Sequence, residues 1–321
     1  MTGKSLENMH VAVVSGGHSS EREISISSGK NVVSALEQAG YGHVELLDAA
    51  DKDFAVTISQ GGFDVAFIAM HGAGGEDGAM QGFMETLGIP YTGSGVLASA
   101  CGADKDVSKL LYAKAGIPVA PGVALERGDE VDVEAIVATC GSKLFVKPAV
   151  NGSSYGVSLV HDASELPHAI EKAFEYSDKV LVETCIEGTE ITVGVYGEDE
   201  PFALPIVEIR KPQNCEFYDL DVKYIDPTDI HRIPAELSEV DYTRAQELAV
   251  RAHQALGCLG ISRSDFIVTA DRGPVILETN TIPGMTDTSL YPDEVRHTDM
   301  TFAQVCDGLV RMGLKRAGIQ C

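Results

Sequence analysis

The chain has 321 residues, 44% of them hydrophobic, and a formal net charge of −24. This length suits two or three domains, and no apolar run approaches the roughly 18 residues of a membrane helix. The acidic balance repels nucleic acid and anionic membranes, so we expect neither as a partner. The first residues lack the order of a signal peptide, and the seven cysteines are scattered without a CxxC pair. We therefore expect a cytoplasmic protein with free thiols.

The first hundred residues predict alternating strands and helices. Strand, loop, helix, strand is the pattern of a doubly wound α/β sheet. Ligands of such sheets lie at the carboxyl ends of the strands, where Gly16, Gly17 and the segment 71–75 fall. The predicted strands are 10–15, 43–47 and 64–70, and the predicted helices begin near Glu21 and run over 78–87.

Beyond residue 104 the pattern changes to that of α+β units. The helix predicted over 104–116 has leucines on one face and lysines on the other. The polar stretch 211–231 shows no periodicity, but its aromatic residues argue against disorder, so we expect an ordered or closable loop. Further predicted strands are 117–123, 143–147, 154–160, 179–183, 190–196, 202–209, 265–269 and 275–278, and further predicted helices are 163–176 and 241–256.

Acidic residues near the end of the chain predict a metal site. Asp265 lies on one strand, and Glu278 and Asn280 share a face of the next strand through the period of two. Oxygen ligands of this kind suit Mg²⁺, which keeps positions for phosphate and water; the alternative is a solvated strand end. Arg263 shares the face of Asp265, where it can hold a phosphate or a developing oxyanion, form an ion pair with Asp265, or do both.

Two lysines are candidates for binding an anion. Lys105 and Lys147 would each more often be surface lysines, but Lys147 ends an apolar strand and the flap-like segment 151–154 (NGSS) follows it. Glu183 ends another strand, and the backbone after it could pair with an adenine edge. The lysine precedes the glycines, unlike in a Walker A loop, and the glycines of 72–78 do not fit G-x-G-x-x-G. Neither a P-loop nor a plain dinucleotide-binding domain is therefore supported.

Five stretches of the chain carry a more specific signal than any single motif. They are SGGHSSEREISISSG, HGAGGEDGAMQGFMETLGIPYTGSGVLASA, KPAVNGSSYGVSLV, FYDLDVKY and ETNTIPGMTDTSLYP. Together they resemble the D-alanine–D-alanine ligase family of the ATP-grasp superfamily, over residues 10–292. The resemblance implies an ATP-grasp fold of α/β and α+β class, with an N-terminal doubly wound parallel-sheet domain at 1–104, a central subdomain at 105–183 and a C-terminal subdomain at 184–321.

The resemblance implies ATP-dependent ligation of two D-alanines through an acyl phosphate, for peptidoglycan precursor synthesis. The implied cofactors are ATP and two Mg²⁺ ions, for which Mn²⁺ can substitute, and the implied assembly is a homodimer. One alternative is a ligase that joins D-alanine to D-lactate or D-serine, against which Tyr224 argues. Another is a nucleotide-binding protein that has lost catalysis, against which the intact metal and arginine set argues.

The resemblance also implies a role for each residue of the site. Glu21 would hold the ammonium of the first D-alanine, and the pair Cys185-Ile186 departs from the bulkier, often aromatic residue of relatives in a way that affects adenine packing. The implied catalytic residues are Glu21, Ser153, Tyr224, Arg263 and Gly284, and the implied substrate contacts are Glu21, His71, Ser289 and Leu290. The implied ATP contacts are Lys105, Lys147, Ser153, Glu183, Ile186, Glu190 and Lys223, and the implied metal ligands are Asp265, Glu278 and Asn280.

Overall fold

A computed structural model of the chain describes residues 4–150, 152, 155–210 and 230–319, whose strands form three sheets. The strands are β1 His10–Ser15, β2 His43–Asp48, β3 Val65–Ile68, β4 Gly122–Glu126, β5 Leu144–Pro148, β6 Ser158–Val160, β7 Lys179–Thr184, β8 Thr189–Gly197, β9 Phe202–Ala203, β10 Val207–Ile209, β11 His231–Arg232, β12 Gly260–Thr269 and β13 Gly273–Asn280. The helices are α1 Arg22–Gln38, α2 Phe54–Gln60, α3 Ala79–Leu87, α4 Val96–Ala103, α5 Lys105–Lys114, α6 Val133–Cys140, α7 Leu166–Phe174, α8 Glu239–Leu256, α9 Leu290–Arg296 and α10 Phe302–Arg316.

The N-terminal sheet is parallel, with the strand order β2-β1-β3. Residues 11–14 of β1 are fully buried, as expected of a central parallel strand covered on both faces. The strand ends at Gly16 and Gly17, whose φ angles of 70° and 86° turn the chain into the loop before α1. This loop and the one that follows β3 lie at the carboxyl ends of their strands, where the sequence predicts ligand contacts.

The central sheet is antiparallel, with the strand order β4-β7-β5-β6. Alternate residues of β5, Leu144 and Val146, are buried, and they pack with Val182 of β7 against Ile170 of α7. The residues between them on β5 therefore point to the opposite face of the sheet. Lys147 lies on that opposite face, which is the one away from α7.

The C-terminal sheet is antiparallel, with the strand order β11-β10-β8-β12-β13, and β9 pairs with β8. One of its faces is apolar, since Val193 and Phe266 form a core with Ala249 of α8. Between Asp265 and Phe266 the register with β13 shifts, so the strand pairing is irregular at this point. Bulges of this kind commonly re-aim side chains beside active sites.

Several sequence predictions need correction. The strand predicted at 117–123 begins only at Gly122, because the backbone of Ile117 closes the end of α5 instead. The strand predicted at 202–209 is interrupted after Ala203. The predicted faces of α5 are wrong at two positions, since Lys109 is 8% exposed and Leu110 is 65% exposed, whereas Lys114 is exposed and Leu111 packs against the core as predicted. Helices α2, α4, α6, α9 and α10 have no counterpart among the predicted elements.

The last helix packs on the first domain. Val310 and Leu314 of α10 lie in the same apolar core as Val13 of β1 and Phe67 of β3. Arg316 at the end of α10 donates from Nη1 and Nη2 to backbone carbonyls of the loop after α3, at 2.7 Å each. The domain boundaries expected at residues 104 and 183 remain a proposal. Among the helices of the described residues, none is both long and apolar enough to cross a membrane.

Candidate active site

The polar face of the C-terminal sheet brings the predicted metal residues together. Asp265 of β12 lies directly opposite Glu278 of β13, and Arg263 lies opposite Asn280. On the other side of β12, Thr192 pairs with Asp265 and donates its hydroxyl hydrogen to that carboxylate. The prediction that these side chains share one face is therefore confirmed by the strand register, whereas their role as metal ligands stays a prediction.

Arg263 and Asp265 form a two-point ion pair on this face. Arg263 donates from Nε to Asp265 Oδ1 at 3.1 Å and from Nη2 to Oδ2 at 3.0 Å. Burial opposes the charge of Arg263, but the neighbouring Asp265 carboxylate outweighs that effect and raises the pKa of the guanidinium. Arg263 therefore stays charged, and among the described residues its Nη1 group makes no hydrogen bond.

The donor set of this face suits Mg²⁺. Two carboxylates, of Asp265 and Glu278, lie in one register pair, and Asn280, whose amide oxygen can coordinate a cation, lies two residues along β13 from Glu278. Within the described ranges no group of three or more His, Cys, Asp or Glu side chains gathers as at an all-protein metal site. Mg²⁺ takes few protein oxygens and completes its shell with phosphate and water. Asp265, Glu278 and Asn280 therefore fit a site that a nucleotide completes.

Helix α5 places lysines between this face and the central sheet. Its residues Lys105 and Lys109 are one turn apart and so share a helix face. Lys105 Nζ lies 3.1 Å from Glu278 Oε2, and Lys109 Nζ lies 2.6 Å from Glu183 Oε1. Lys147 of β5 reaches the other oxygen of Glu183 at 2.5 Å. The predicted phosphate lysines are thus ion-paired with a predicted metal ligand and with a predicted nucleotide contact.

The Glu183 carboxylate is held charged although it is buried. Burial alone would raise its pKa, but the positive charges of Lys147 and Lys109 outweigh burial and lower it. Burial, and then repulsion from Lys147, lower the pKa of Lys109. Sequence reasoning missed Lys109, although its spacing of four residues from Lys105 placed both on one helix face.

Glu21 lies at the start of α1, between two loops. A methyl group on Gly72 would lie 3.2 Å from Glu21 Oε2, and one on Gly152 would lie 3.0 Å from Oε1. Gly72 belongs to the loop after β3, and Gly152 belongs to the predicted flap after β5. The structure therefore places Gly152 beside Glu21, while the contact of Glu21 with a substrate ammonium stays a prediction.

The ring of His71 is fully hydrogen-bonded inside the protein. Its Nδ1 lies 3.2 Å from the carbonyl oxygen of Ile282, and its Nε2 lies 2.9 Å from Ser28 Oγ. Ser28 Oγ also accepts from the backbone N–H of Met285 at 3.1 Å. Burial lowers the pKa of His71, which agrees with a neutral ring that donates from Nδ1 and accepts at Nε2. His71 therefore joins the first loop to the segment 282–285, and its predicted substrate contact stays a prediction.

The remaining substrate residues lie in the turn before α9. The Ser289 hydroxyl lies 2.7 Å from Thr286 Oγ1 and accepts from the Thr286 N–H at 3.1 Å, and a methyl group on Gly284 would lie 2.8 Å from it. Because Gly284 has no side chain, the Ser289 hydroxyl can lie close to its backbone in this turn. Leu290 begins α9 directly after Ser289. Their predicted contacts with the second D-alanine stay predictions.

Three of the predicted site residues, Ser153, Lys223 and Tyr224, lie outside the described residues. Most of the predicted loop 211–231 lies outside them as well. Ile186 lies in the connection between β7 and β8, and Glu190 lies on β8 opposite Ile267, both partly buried. Their predicted contacts with ATP stay predictions.

Two further acidic residues near the site have no counterpart in the sequence analysis. Glu76, in the loop after His71, has its pKa raised to about 8 by burial and then by the charge of Glu21. Glu294 of α9 is fully buried and accepts from the Gly194 N–H of β8 at 2.8 Å. The signal for Glu76 was its position in the glycine-rich stretch HGAGGEDG, whereas Glu294 had no sequence signal.

Two family models match the chain. The model described as D-ala D-ala ligase N-terminus matches residues 45–94, and the model described as D-ala D-ala ligase C-terminus matches residues 111–311. The chain is 42% identical over 311 residues to the D-alanine–D-alanine ligase of Syntrophobacter fumaroxidans, which covers 97% of this chain and 99% of the relative. It is 44% identical over 307 residues to that of Desulforudis audaxviator, with 95% and 99% covered.

Solved structures show the same likeness. The D-alanine–D-alanine ligase of Coxiella burnetii superposes with a TM-score of 0.82 at 29% identity, covering 97% of this chain and 96% of that one. That of Bacillus anthracis complexed with ATP superposes with a TM-score of 0.81 at 30% identity, covering 97% and 98%. These neighbours confirm the predicted fold class, an ATP-grasp fold behind an N-terminal parallel sheet. The chain therefore belongs to the D-alanine–D-alanine ligase family, as its five stretches predict.

Proposed function

We propose that the chain joins two D-alanines to D-alanyl-D-alanine with ATP, through an acyl phosphate, for the synthesis of peptidoglycan precursors. Membership of the ligase family supports this enzyme class and the use of ATP. The observation that carries the proposal in this chain is the in-register set of Arg263, Asp265, Glu278 and Asn280 on one polar sheet face. A nucleotide-binding protein that had lost catalysis would not need a charged arginine beside the metal residues.

The first step that the site must assist is activation of a carboxylate. A carboxylate is a poor electrophile because it already carries a negative charge, and phosphorylation gives its carbon a good leaving group. The charges of Lys105 and Lys147, which are ion-paired with Glu278 and Glu183, would offset repulsion between the γ-phosphate and the attacking carboxylate. Mg²⁺, held by Asp265, Glu278 and Asn280, would supply further charge neutralisation at the phosphates.

The second step is attack by the amine of the second D-alanine on the activated carbonyl carbon. The negative charge that develops on the carbonyl oxygen needs a fixed donor. Arg263 supplies one, because Asp265 fixes its orientation through Nε and Nη2 while Nη1 stays available. Such donors contribute roughly 3–4 kcal/mol to transition-state stabilisation. The backbone N–H of Gly284 is the second proposed donor.

Glu21 is the proposed partner of the first substrate. Its carboxylate lies between Gly72 and Gly152, so loops from the first and second units approach the same group. A carboxylate in this position can pair with the ammonium of a D-alanine and orient its carboxylate towards the nucleotide. The His71 network supports this arrangement, since it ties the loop after β3 to the segment that carries Gly284.

The proposal is tested by release of phosphate from ATP with D-alanine and Mg²⁺, with mass detection of the product. We expect phosphate release with D-alanine alone, a product with the mass of the dipeptide, and no release with L-alanine. No dipeptide under these conditions would overturn the proposal. A mass shift to the ester or to the mixed dipeptide when D-lactate or D-serine is added in equal amount would identify the second substrate instead.

We also propose that the enzyme acts as a homodimer in the cytoplasm, without a nucleic-acid or membrane partner. The resemblance to the family supports the dimer, and the net charge of −24 supports the lack of anionic partners. Sedimentation equilibrium over a range of protein concentrations tests the assembly, and a single monomeric species at all of them would contradict it.

A further inference from the structure

One carboxylate in the nucleotide region has two lysine partners. Lys109 Nζ lies 2.6 Å from Glu183 Oε1, and Lys147 Nζ lies 2.5 Å from Oε2. The side chains of Lys109 and Glu183 are 10% and 4% exposed, and that of Lys147 is 14% exposed. The group therefore holds one positive charge more than the carboxylate can neutralise, in a place that water hardly reaches. An excess positive charge of this kind suits a site for an anionic ligand.

The two lysines differ in where they can go. Lys147 is the second-last residue of β5. It lies five residues before Gly152, which is beside Glu21. Lys109 lies within α5, between the buried residues Ser108 and Tyr112. A lysine at a strand end can swing its ammonium group towards the flap, whereas one within a packed helix is held near its present position. Lys147 is therefore the lysine that a phosphate group can attract.

The movement of Lys147 would leave Glu183 without a partner if Lys109 were absent. A carboxylate that is buried and loses its only counter-ion is strongly destabilised, which would hold Lys147 in place. With Lys109 present, one ion pair remains after Lys147 has moved. The repulsion between the two ammonium groups, which contributes to the lowered pKa of Lys109, also ends.

We propose that Lys109 is a positioning residue for nucleotide binding: it remains as the counter-ion of Glu183 and so releases Lys147 to the phosphates of ATP. The inference rests on the proposed use of ATP and adds a residue that the family resemblance did not assign. It makes Lys109 act through Lys147 and Glu183, without contact to the phosphates.

Lys109→Met tests the proposal, with Lys114→Met as its control because Lys114 is exposed on the same helix. We expect Lys109→Met to raise the KM for ATP roughly tenfold or more while kcat and the KM for D-alanine change less than about threefold. Lys114→Met should behave like the wild type. An unchanged KM for ATP in folded Lys109→Met, or an equal loss in all three constants, would overturn the proposal.

The double variant Lys109→Met/Glu183→Gln separates charge from packing. If Glu183 holds Lys147 back in the single variant, Lys109→Met should lower ATP affinity less in the Glu183→Gln background than in the wild type, measured by calorimetry without D-alanine. An equal or larger loss in the Glu183→Gln background would contradict the proposal. Lys109→Arg keeps the charge and should retain ATP binding, which covers the case in which Lys109→Met does not fold. Wild-type dipeptide formation is measured in the same series. If the wild type forms no dipeptide, the proposed function is wrong, whatever the effect of the Lys109 variants on ATP binding.

Discussion

Arg263 donates two hydrogen bonds to the Asp265 carboxylate, from Nε at 3.1 Å and from Nη2 at 3.0 Å. The planar guanidinium matches a carboxylate in this way, whereas a lysine offers a point charge without fixed direction. One side chain can therefore neutralise the proposed metal carboxylate and still present Nη1 in a fixed direction. From the sequence, Arg263 could hold a phosphate or a developing oxyanion, form an ion pair with Asp265, or do both. The ion pair is present, and it fixes the orientation of the arginine for the proposed oxyanion role.

Arg263→Ala is expected to lower kcat by roughly 10²–10³, because a donor to the developing oxyanion is lost. The dissociation constant for ATP should change much less, since the role proposed for Arg263 is at the carbonyl oxygen of the reacting D-alanine and not at the nucleotide. Steady-state kinetics and calorimetric ATP binding measure the two effects. Arg127→Ala serves as the control, because it removes an exposed ion pair with Asp178 and contacts with Phe174, none of which involves a residue of the proposed site. Equal losses in kcat and in ATP affinity would show that the assigned role is wrong.

Asp265→Asn is expected to weaken Mn²⁺ binding on the order of tenfold or more, because a carboxylate ligand is replaced by a neutral amide. Water-proton relaxation in a Mn²⁺ titration with ATP present measures this without relying on turnover. Asp271→Asn is a matched control, since Asp271 is exposed in the turn that joins β12 to β13. If both variants bind Mn²⁺ as the wild type does, Asp265 is not a metal ligand.

Ser28→Ala is expected to destabilise the protein by about 1–3 kcal/mol, because the buried His71 Nε2 and the Met285 N–H both lose their partner. We also expect a higher KM for D-alanine, since these bonds join the loop beside Glu21 to the segment that carries Gly284. Urea unfolding and steady-state kinetics provide the two measurements. Ser34→Ala on the exposed side of α1 should change neither. Wild-type values for Ser28→Ala would show that the network does not stabilise the site.

The burial of His253 predicts that the free energy of unfolding decreases in acid. Its ring is buried on α8, with Nδ1 2.8 Å from Ser262 Oγ, and burial lowers its pKa to about 4. In the unfolded chain the ring is protonated below about pH 6.5. Between these values the unfolded state binds more protons, so stability falls as the pH drops from about 6.5 to about 4, by about 3 kcal/mol in all.

His253→Gln removes this contribution. The decrease in unfolding free energy between about pH 7.5 and about pH 5 should therefore be about 2 kcal/mol smaller in His253→Gln than in the wild type. His168→Gln is the control, because His168 is exposed on α7. Urea unfolding at the two pH values gives the comparison, and parallel decreases in the wild type and His253→Gln would contradict the assignment.

The strand residues of the site could be predicted because strands have a short, rigid period. Arg263 and Asp265 had to share a face, as had Glu278 and Asn280, and only the register between the two pairs was open. The register places them side by side. The helix gave a weaker signal: Lys109 looked like part of a solvated face, because the carboxylate that makes its burial favourable lies far away in sequence, on β7.

The unpredicted elements share a similar cause. Glu294 lies on a helix of seven residues, too short for a clear periodic pattern, and its partner is a backbone N–H on β8. At the interruption after Ala203, the Gly194 N–H of β8 donates to Glu294 and not to the neighbouring strand, a contact that no local sequence pattern indicates. Local sequence predicts a helix or strand correctly where the periodicity of its own residues determines the structure. It fails where a contact with a residue far away in sequence determines it.

The position of α10 has a consequence for protein synthesis. The valines of β1 are synthesised before the residues of the proposed active site, but Leu309, Val310 and Leu314, which complete their core, are synthesised after them. Until α10 has been made, one side of the first domain lacks its cover and exposes apolar surface that other chains can bind. A nascent chain cut short before α10 would have all the residues of the proposed active site and still lack the support for Glu21 and His71. The first domain can therefore complete its core only after α10 has been made, later than the residues of the proposed active site.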